Sequence, residues 1–177
     1  MLRPFQNGKD VLPMDITLSE DIDAEYLEDV ADILTNKEFL ALNSYRHHVA
    51  TTRLMHSINV SYISWLTAKK LGCDTQAAAR AGLLHDFFLY DPRESRPSRE
   101  LQAFCHPKVA ARTSGETFEI SEKERDAILS HMFPLGPLPK SREAWIISGA
   151  DKICACAEVF HITIALARDG RVAVSPA

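Results

Sequence analysis

No stretch of this sequence approaches the roughly 20 consecutive apolar residues that span a bilayer, and the opening MLRPFQNGKD lacks the apolar core of a secretory leader. Both absences lead us to expect a cytoplasmic protein with no membrane partner. Cysteine is scarce. Cys73, Cys105, Cys154 and Cys156 form neither a disulfide framework at this length nor the CxxC pairs of a zinc site. Cys154 and Cys156 stand two apart on an expected helix, point to different faces, and are read as packing residues. Positive charge is not in excess either: a net charge of −4 and a pI near 6.0 give no broad basic field. Binding along an extended nucleic acid is therefore not expected, and a small partner is. Internal repeats, low-complexity tracts and a glycine-rich phosphate loop are also missing.

What remains is a chain of 177 residues, 46% hydrophobic, long enough to bury about 70% of its unfolded surface in one core. Pro4, Asn7-Gly8 and Pro13 punctuate residues 1–18, which read as an arm ahead of a helical domain over 19–170 and a tail over 171–177. Ser19 is placed to cap a helix reaching Leu34, and a short helical piece follows over Lys37–Leu42. From Thr51 to Leu71, Leu54, Ile58, Tyr62, Trp65 and Leu66 recur at helical spacing, and Gly72 is suited to end that helix. Asp74 can cap the next one. His106-Pro107 is expected to open another, Ser121 to Glu124 forms a capping box for a further one, and Ser141 starts a last helix that runs to Arg168. Together these elements predict an all-α chain of about six to seven helices. Residues 91–104, with Arg93, Arg96 and Arg99, read as a solvated connection or a cationic rim; the proline-stiffened, apolar 132–139 reads as a wall, a lid or a segment packed on the body.

The chemistry concentrates at Ala81-Gly82-Leu83-Leu84-His85-Asp86, where a small-residue helical run ends in an adjacent imidazole and carboxylate. Ala77, Ala78, Ala79, Ala81 and Gly82 allow a neighbouring helix to approach closely. Buried polar groups need a partner, and a divalent cation satisfies both members of the pair. Successive helical residues point about 100° apart, so His85 and Asp86 reach one site only from a helix end or a distorted turn. Asp151 lies among Ile146, Ile147 and Ile153, where a lone carboxylate would be costly and a ligand role is favoured. Taken singly, His56 reads as a histidine at the edge of the core, and His131 as either a ligand or a protonated helix cap. Lys152 and Glu158 are expected to face solvent or a neighbouring pair, and His47, His48 and His161 are read as structural.

The order His56, His85-Asp86, Asp151 resembles the defining pattern of the HD-domain phosphohydrolase superfamily. His106 and His131 resemble the two added histidines of its binuclear branch. The resemblance implies an HD-type helical bundle. It also implies two divalent metal ions, such as Fe, Mn or Zn, held by His56, His85, Asp86, His106, His131 and Asp151, with Asp86 bridging and His85-Asp86 at the catalytic centre. The implied activity is hydrolysis of a phosphate ester or anhydride in a small phosphorylated molecule, a nucleotide or dinucleotide, by metal-activated hydroxide. A non-catalytic metal- or nucleotide-binding module is the alternative. Arg53 and Lys152, neighbours of ligands in sequence, are candidate substrate contacts. Within the superfamily the order is similar to that of symmetrical dinucleoside tetraphosphate hydrolases and of HD-GYP phosphodiesterases, although no Gly-Tyr-Pro signature is present. The chain departs from the common His-Asp-x-Gly-Lys form: Phe88 and Leu89 stand at the glycine and lysine positions.

Overall fold

Small side chains let the two central helices meet. The computed structural model describes residues 16–18, 23–47, 51–94, 100–160 and 172–174. Helix α3, Arg53–Leu71, packs against α4, Thr75–Leu84, and an added Cβ on Gly82 would stand 2.6 Å from the Ser61 Cα. Ser61 closes the seam by donating to the Ala79 carbonyl at 2.7 Å while accepting from Tyr26 Oη at 3.0 Å. Gly72 ends α3 in the left-handed region at φ 61°, and Asp74 caps α4 by accepting from the Ala77 amide. Both follow from the turn chemistry expected of these residues.

Around this pair stand α1, Ala24–Leu34, and α2, Lys37–Leu40, followed by a 3-10 turn over Ala41–Ser44; then α5, Gln102–Thr117, α6, Glu122–Ser130, and α7, Arg142–Val159. The protein is all-α. Helix α3 also lies against α7, and α4 touches α1, α6 and α7, so α3 and α4 form the middle of the bundle. α3 is accordingly buried on most sides, with Ser57, Asn59, Ser61 and Ser64 inside as well as Leu54, Val60 and Trp65. Arg80 on α4 ties three helices together, reaching Asp32 of α1 at 2.6 Å and Glu124 of α6 at 2.9 Å. Glu124 doubles as the reciprocal member of the Ser121 capping box.

Several element boundaries differ from expectation. Thr51–Thr52 is strand β3, paired with β2, Arg46–His47, and the Thr52 hydroxyl then caps α3 by accepting from the Met55 amide. β-branched threonines favour the extended form, and Thr52 is used as the cap before the helix. Helix α5 begins at Gln102, not at His106, and carries Pro107 inside it. α7 ends at Val159; the expected continuation to Arg168, like the Ser19 cap, His48 and His161, lies outside the described residues. Strands β1, Ile16–Leu18, and β4, Val172–Val174, pair antiparallel, which joins the end of the expected arm to the start of the expected tail. Among the described residues no helix is long and apolar enough to cross a membrane.

Gly82→Ala tests the α3–α4 seam. Its Cβ would meet backbone, not a flexible side-chain tip, so a loss of about 1–3 kcal/mol is expected, read as a lower urea midpoint at unchanged slope. Wild-type stability in this variant would show that the two helices can separate without cost.

Candidate metal centre

Five helices deliver the expected ligands to one place. His56 comes from the first turns of α3, His106 from α5 and Asp151 from the middle of α7. His131 is the C-cap residue of α6. α4 stops at Leu84, so His85 and Asp86 occupy the turn just beyond it and can both face inward. His56 and His85 are fully buried, and Asp86, His106 and His131 nearly so.

The histidine tautomers follow from the backbone. His85 Nδ1 lies 2.8 Å from the Gly82 carbonyl, His106 Nδ1 2.6 Å from that of Gln102, and His131 Nδ1 2.7 Å from that of Ile128. A carbonyl only accepts, so each Nδ1 donates, and in the neutral ring each Nε2 is left with a lone pair. His106 Nε2 and His131 Nε2 then face each other at 2.9 Å, and Asp86 Oδ1 stands 3.3 Å from the first and 4.0 Å from the second. Two lone pairs and a carboxylate oxygen at this range repel unless a cation sits among them. On the other side, Asp151 Oδ1 is 3.2 Å from His56 Nε2 and 3.7 Å from His85 Nε2. Ligands each about 2.0–2.2 Å from one ion span such separations.

Two atoms at the centre of this arrangement are buried with no hydrogen-bond partner among the described residues: His85 Nε2 and Asp86 Oδ1. An unsatisfied buried acceptor costs about 1–3 kcal/mol, and both orphans point to the same remedy. The residues present therefore fit divalent metal. The ligand atoms of His56, His85 and Asp151 lie within 4.8 Å of one another, and so do those of Asp86, His106 and His131.

The electrostatics agree. Burial alone would raise the Asp86 pKa, but His85, His106, His47 and His131 hold it well below the carboxylate range. Asp151 is likewise pushed up by burial and pulled well below that range by His56 and His85. Both stay ionised. Burial, together with His85 and His106, drives His131 down to about 3, so its imidazole is neutral, unlike a protonated helix cap. His56 moves the other way: burial opposes its charge, yet hydrogen bonds to Asp151 and Glu158 raise it to about 10. Its proton stands where a cation would sit.

Two contributors escape the sequence reading. Glu158, expected to face solvent or a neighbouring pair, is buried and brackets His56 Nδ1 with both oxygens at 3.0 and 3.1 Å; Thr51 Oγ1 donates to it at 3.2 Å. Its spacing of seven residues from Asp151, two turns along one helical face, was the available signal. His47, read as structural, has its ring 4.1 Å from that of His56 and its Nδ1 3.9 Å from Asp86 Oδ2. Its ligand atom groups with those of His56 and Asp86. No spacing rule marks a two-residue strand, and nothing in the sequence singled it out.

The two expected substrate contacts are already engaged. Arg53 is buried, donates to the Phe88 carbonyl at 2.6 Å and the Tyr90 carbonyl at 3.2 Å, and lies 3.6 Å over the Phe88 ring. Lys152 Nζ donates to the carbonyls of His131 and Ser148 at 2.9 and 3.1 Å and to Ser148 Oγ at 3.0 Å. Both still line a pocket of about 500 Å³ that opens over Asp86, His106 and Asp151. Met132, from the proline-rich segment, forms part of its wall, while Phe133 turns away to pack edge-on against Trp145.

A family model described as the HD domain matches residues 53–156. The chain belongs to the HD domain family. That span takes in all six HD ligands expected from sequence and excludes His47 and Glu158. Ribonuclease Y of Clostridium perfringens strain SM101 and ribonuclease Y of Clostridium tetani strain Massachusetts / E88 are each 52% identical over 42 residues, which is 24% of this chain. The chain spans only 8% of the length of these relatives. No solved structure matches it.

Glu158→Gln removes the charge that orients His56 and raises its basicity, so metal affinity is expected to fall about 10- to 100-fold, measured by competition with a chromogenic chelator. An unchanged affinity would make Glu158 a packing residue. Because His56 in the metal-free protein titrates near 10, above its ordinary 6.5, its stabilising contribution is full below about 6.5 and is lost as pH rises through about 10. Metal must displace that proton. About one proton should appear per protein on metal addition at pH 8 in weak buffer; no release would show that His56 is already neutral.

Proposed function

We propose that this HD protein is a metal-dependent hydrolase of a phosphate ester or anhydride bond in a small phosphorylated molecule, a nucleotide or dinucleotide. The observation that carries this reading is the approach of His106 Nε2 and His131 Nε2 to 2.9 Å beside Asp86 Oδ1, which has no hydrogen-bond partner among the described residues. That trio is arranged for a second cation next to the one that His56, His85, Asp86 and Asp151 would hold, with Asp86 shared. When bound, ions such as Fe, Mn or Zn supply charge that draws a phosphate and lowers the pKa of a nearby water to about 7.

The chain's own residues set up that chemistry. Two carboxylates among neutral imidazoles offset only part of the charge of two divalent ions, so the centre keeps a net attraction for an anion of about +2. Asp86, surrounded by His47, His85, His106 and His131, links the two halves and fixes their separation. Arg53 holds the Phe88 and Tyr90 carbonyls and so positions the wall that follows Asp86. Lys152 has its three protons on three acceptors and would act on a bound anion through its charge alone. A pocket of about 500 Å³ suits a ligand of nucleotide size.

The likeness to ribonuclease Y adds phosphodiesters to the substrates to be tried. A non-catalytic binding module is the second reading, supported by Phe88 and by the half-exposed Leu89 at the family's glycine and lysine positions. A nucleotide and phosphodiester panel, run on protein of measured metal content, separates the two: turnover that chelator abolishes is expected, and metal-loaded protein that binds nucleotide without turnover would favour the module.

Asp86→Ala should lose both metal retention and hydrolysis, by at least about a hundredfold in rate, since the shared carboxylate goes. His106→Ala and His131→Ala should each reduce bound metal from about two ions to about one. Elemental analysis decides this, and wild-type stoichiometry in both would leave a one-metal centre.

A further inference from the structure

The pocket over the metal centre is larger than a single phosphoryl group needs, and its cations are not equivalent. Among the described residues lining it, the permanent cations are Arg46, Arg53, Arg93 and Lys152. Three are committed. Arg53 is bound to the Phe88 and Tyr90 carbonyls, Lys152 to the His131 and Ser148 acceptors, and Arg93 to Asp91 through bonds of 3.0 and 2.6 Å. Arg46 makes no side-chain hydrogen bond or ion pair among the described residues, and it is exposed. It is held in place by its backbone, since β2 pairs Arg46 with Thr52, the residue that caps α3. The next residue, His47, reaches Asp86. Among the described residues this guanidinium has every donor free; one residue from His47, it is anchored at the root and open at the tip.

We propose that Arg46 heads an anion subsite for a second, non-reacting phosphate, so that the preferred substrates carry two or more linked phosphates and not one. This inference rests on the reading that the metal centre holds the reacting phosphate, and it adds the substrate class. A guanidinium presents paired donors in a plane that matches two phosphate oxygens, and a charge-assisted pair of this kind is among the stronger polar contacts. Arg93 cannot serve in the same way while Asp91 neutralises it. Arg53 and Lys152 add a positive background that any anion feels, whatever its phosphate count.

The test compares methylphosphonate with methylenebisphosphonate, neither of which carries a cleavable P–O–P bond, by calorimetric titration of the metal-loaded full chain. Metal content is measured after each run so that chelation is not read as weak binding. Wild type should bind the bisphosphonate at least about tenfold more tightly. Arg46→Ala should remove most of that preference while methylphosphonate affinity changes less than about twofold, and Arg46→Lys should restore part of it. Equal weakening of both ligands in Arg46→Ala, or an unchanged preference, would overturn the subsite. Absence of any metal-dependent binding of either ligand to wild type would overturn the phosphate reading of the centre and the subsite with it.

Discussion

An imidazole whose Nδ1 is tied to a carbonyl of its own helix has one lone pair left and one direction in which to offer it. His85, His106 and His131 are all held this way, by carbonyls three or four residues earlier in the chain. For His85 and His131 the hydrogen bond costs the fold little, because the last carbonyls of a helix need a partner in any case, whereas Gln102, which holds His106, is the first residue of α5. What it adds is a fixed proton position: with Nδ1 as donor, Nε2 is bare. Three bare nitrogens and two ionised carboxylates pointed at one volume would destabilise the folded chain unless that volume held positive charge. In the chain without metal, part of that positive charge is the proton kept on His56 between Asp151 and Glu158.

The bundle places these groups through its closest contact. Gly82 lets α4 lie against the Ser61 backbone of α3, and four residues beyond it the chain reaches Asp86 while α3 carries His56 on its first turns. A wider α3–α4 spacing would move His85 away from Asp151 and His56, which it now meets at 3.7 Å and at a ring separation of 5.3 Å. Packing at one glycine and coordination at the helix end are thus one geometric problem. Arg80 keeps α6, and with it His131, in register with α4 through Glu124.

How much of this was legible in the sequence depended on whether a residue sits in a repeating pattern. The helices were legible, because apolar spacing, Gly72, Asp74 and Ser121 each carry a local physical cause that the structure retains. The histidines and aspartates of the HD order were legible as a set. The start of α5 was misjudged because Pro107 suits a first turn, whereas the helix begins five residues earlier at Gln102 and accepts the proline inside. His47 and Glu158 were missed for another reason. Each owes its place to a partner distant in sequence, His56 and Asp86 for the first and His56 for the second. No local periodicity encodes such a pairing, and a carboxylate near a helix end looks the same in sequence whether it meets water or a buried ring.

The substitution at the glycine and lysine positions has a physical counterpart in the structure. Phe88 places its ring 3.6 Å under the Arg53 guanidinium and 5.6 Å from the His106 ring, where a glycine would leave space. The ring and the Phe88 carbonyl together hold Arg53 flat against the wall, and a cation stacked on an aromatic face is well satisfied there. The segment after Asp86 is thereby stiffened by a large side chain and a buried cation, whereas the lysine that a relative would present from the next position is replaced by the apolar Leu89. Charge for an anionic ligand then has to come from elsewhere around the pocket. Among the described residues lining the pocket the permanent cations are Arg46, Arg53, Arg93 and Lys152, and Arg46 stands on β2 next to His47, whose Nδ1 is 3.9 Å from Asp86 Oδ2.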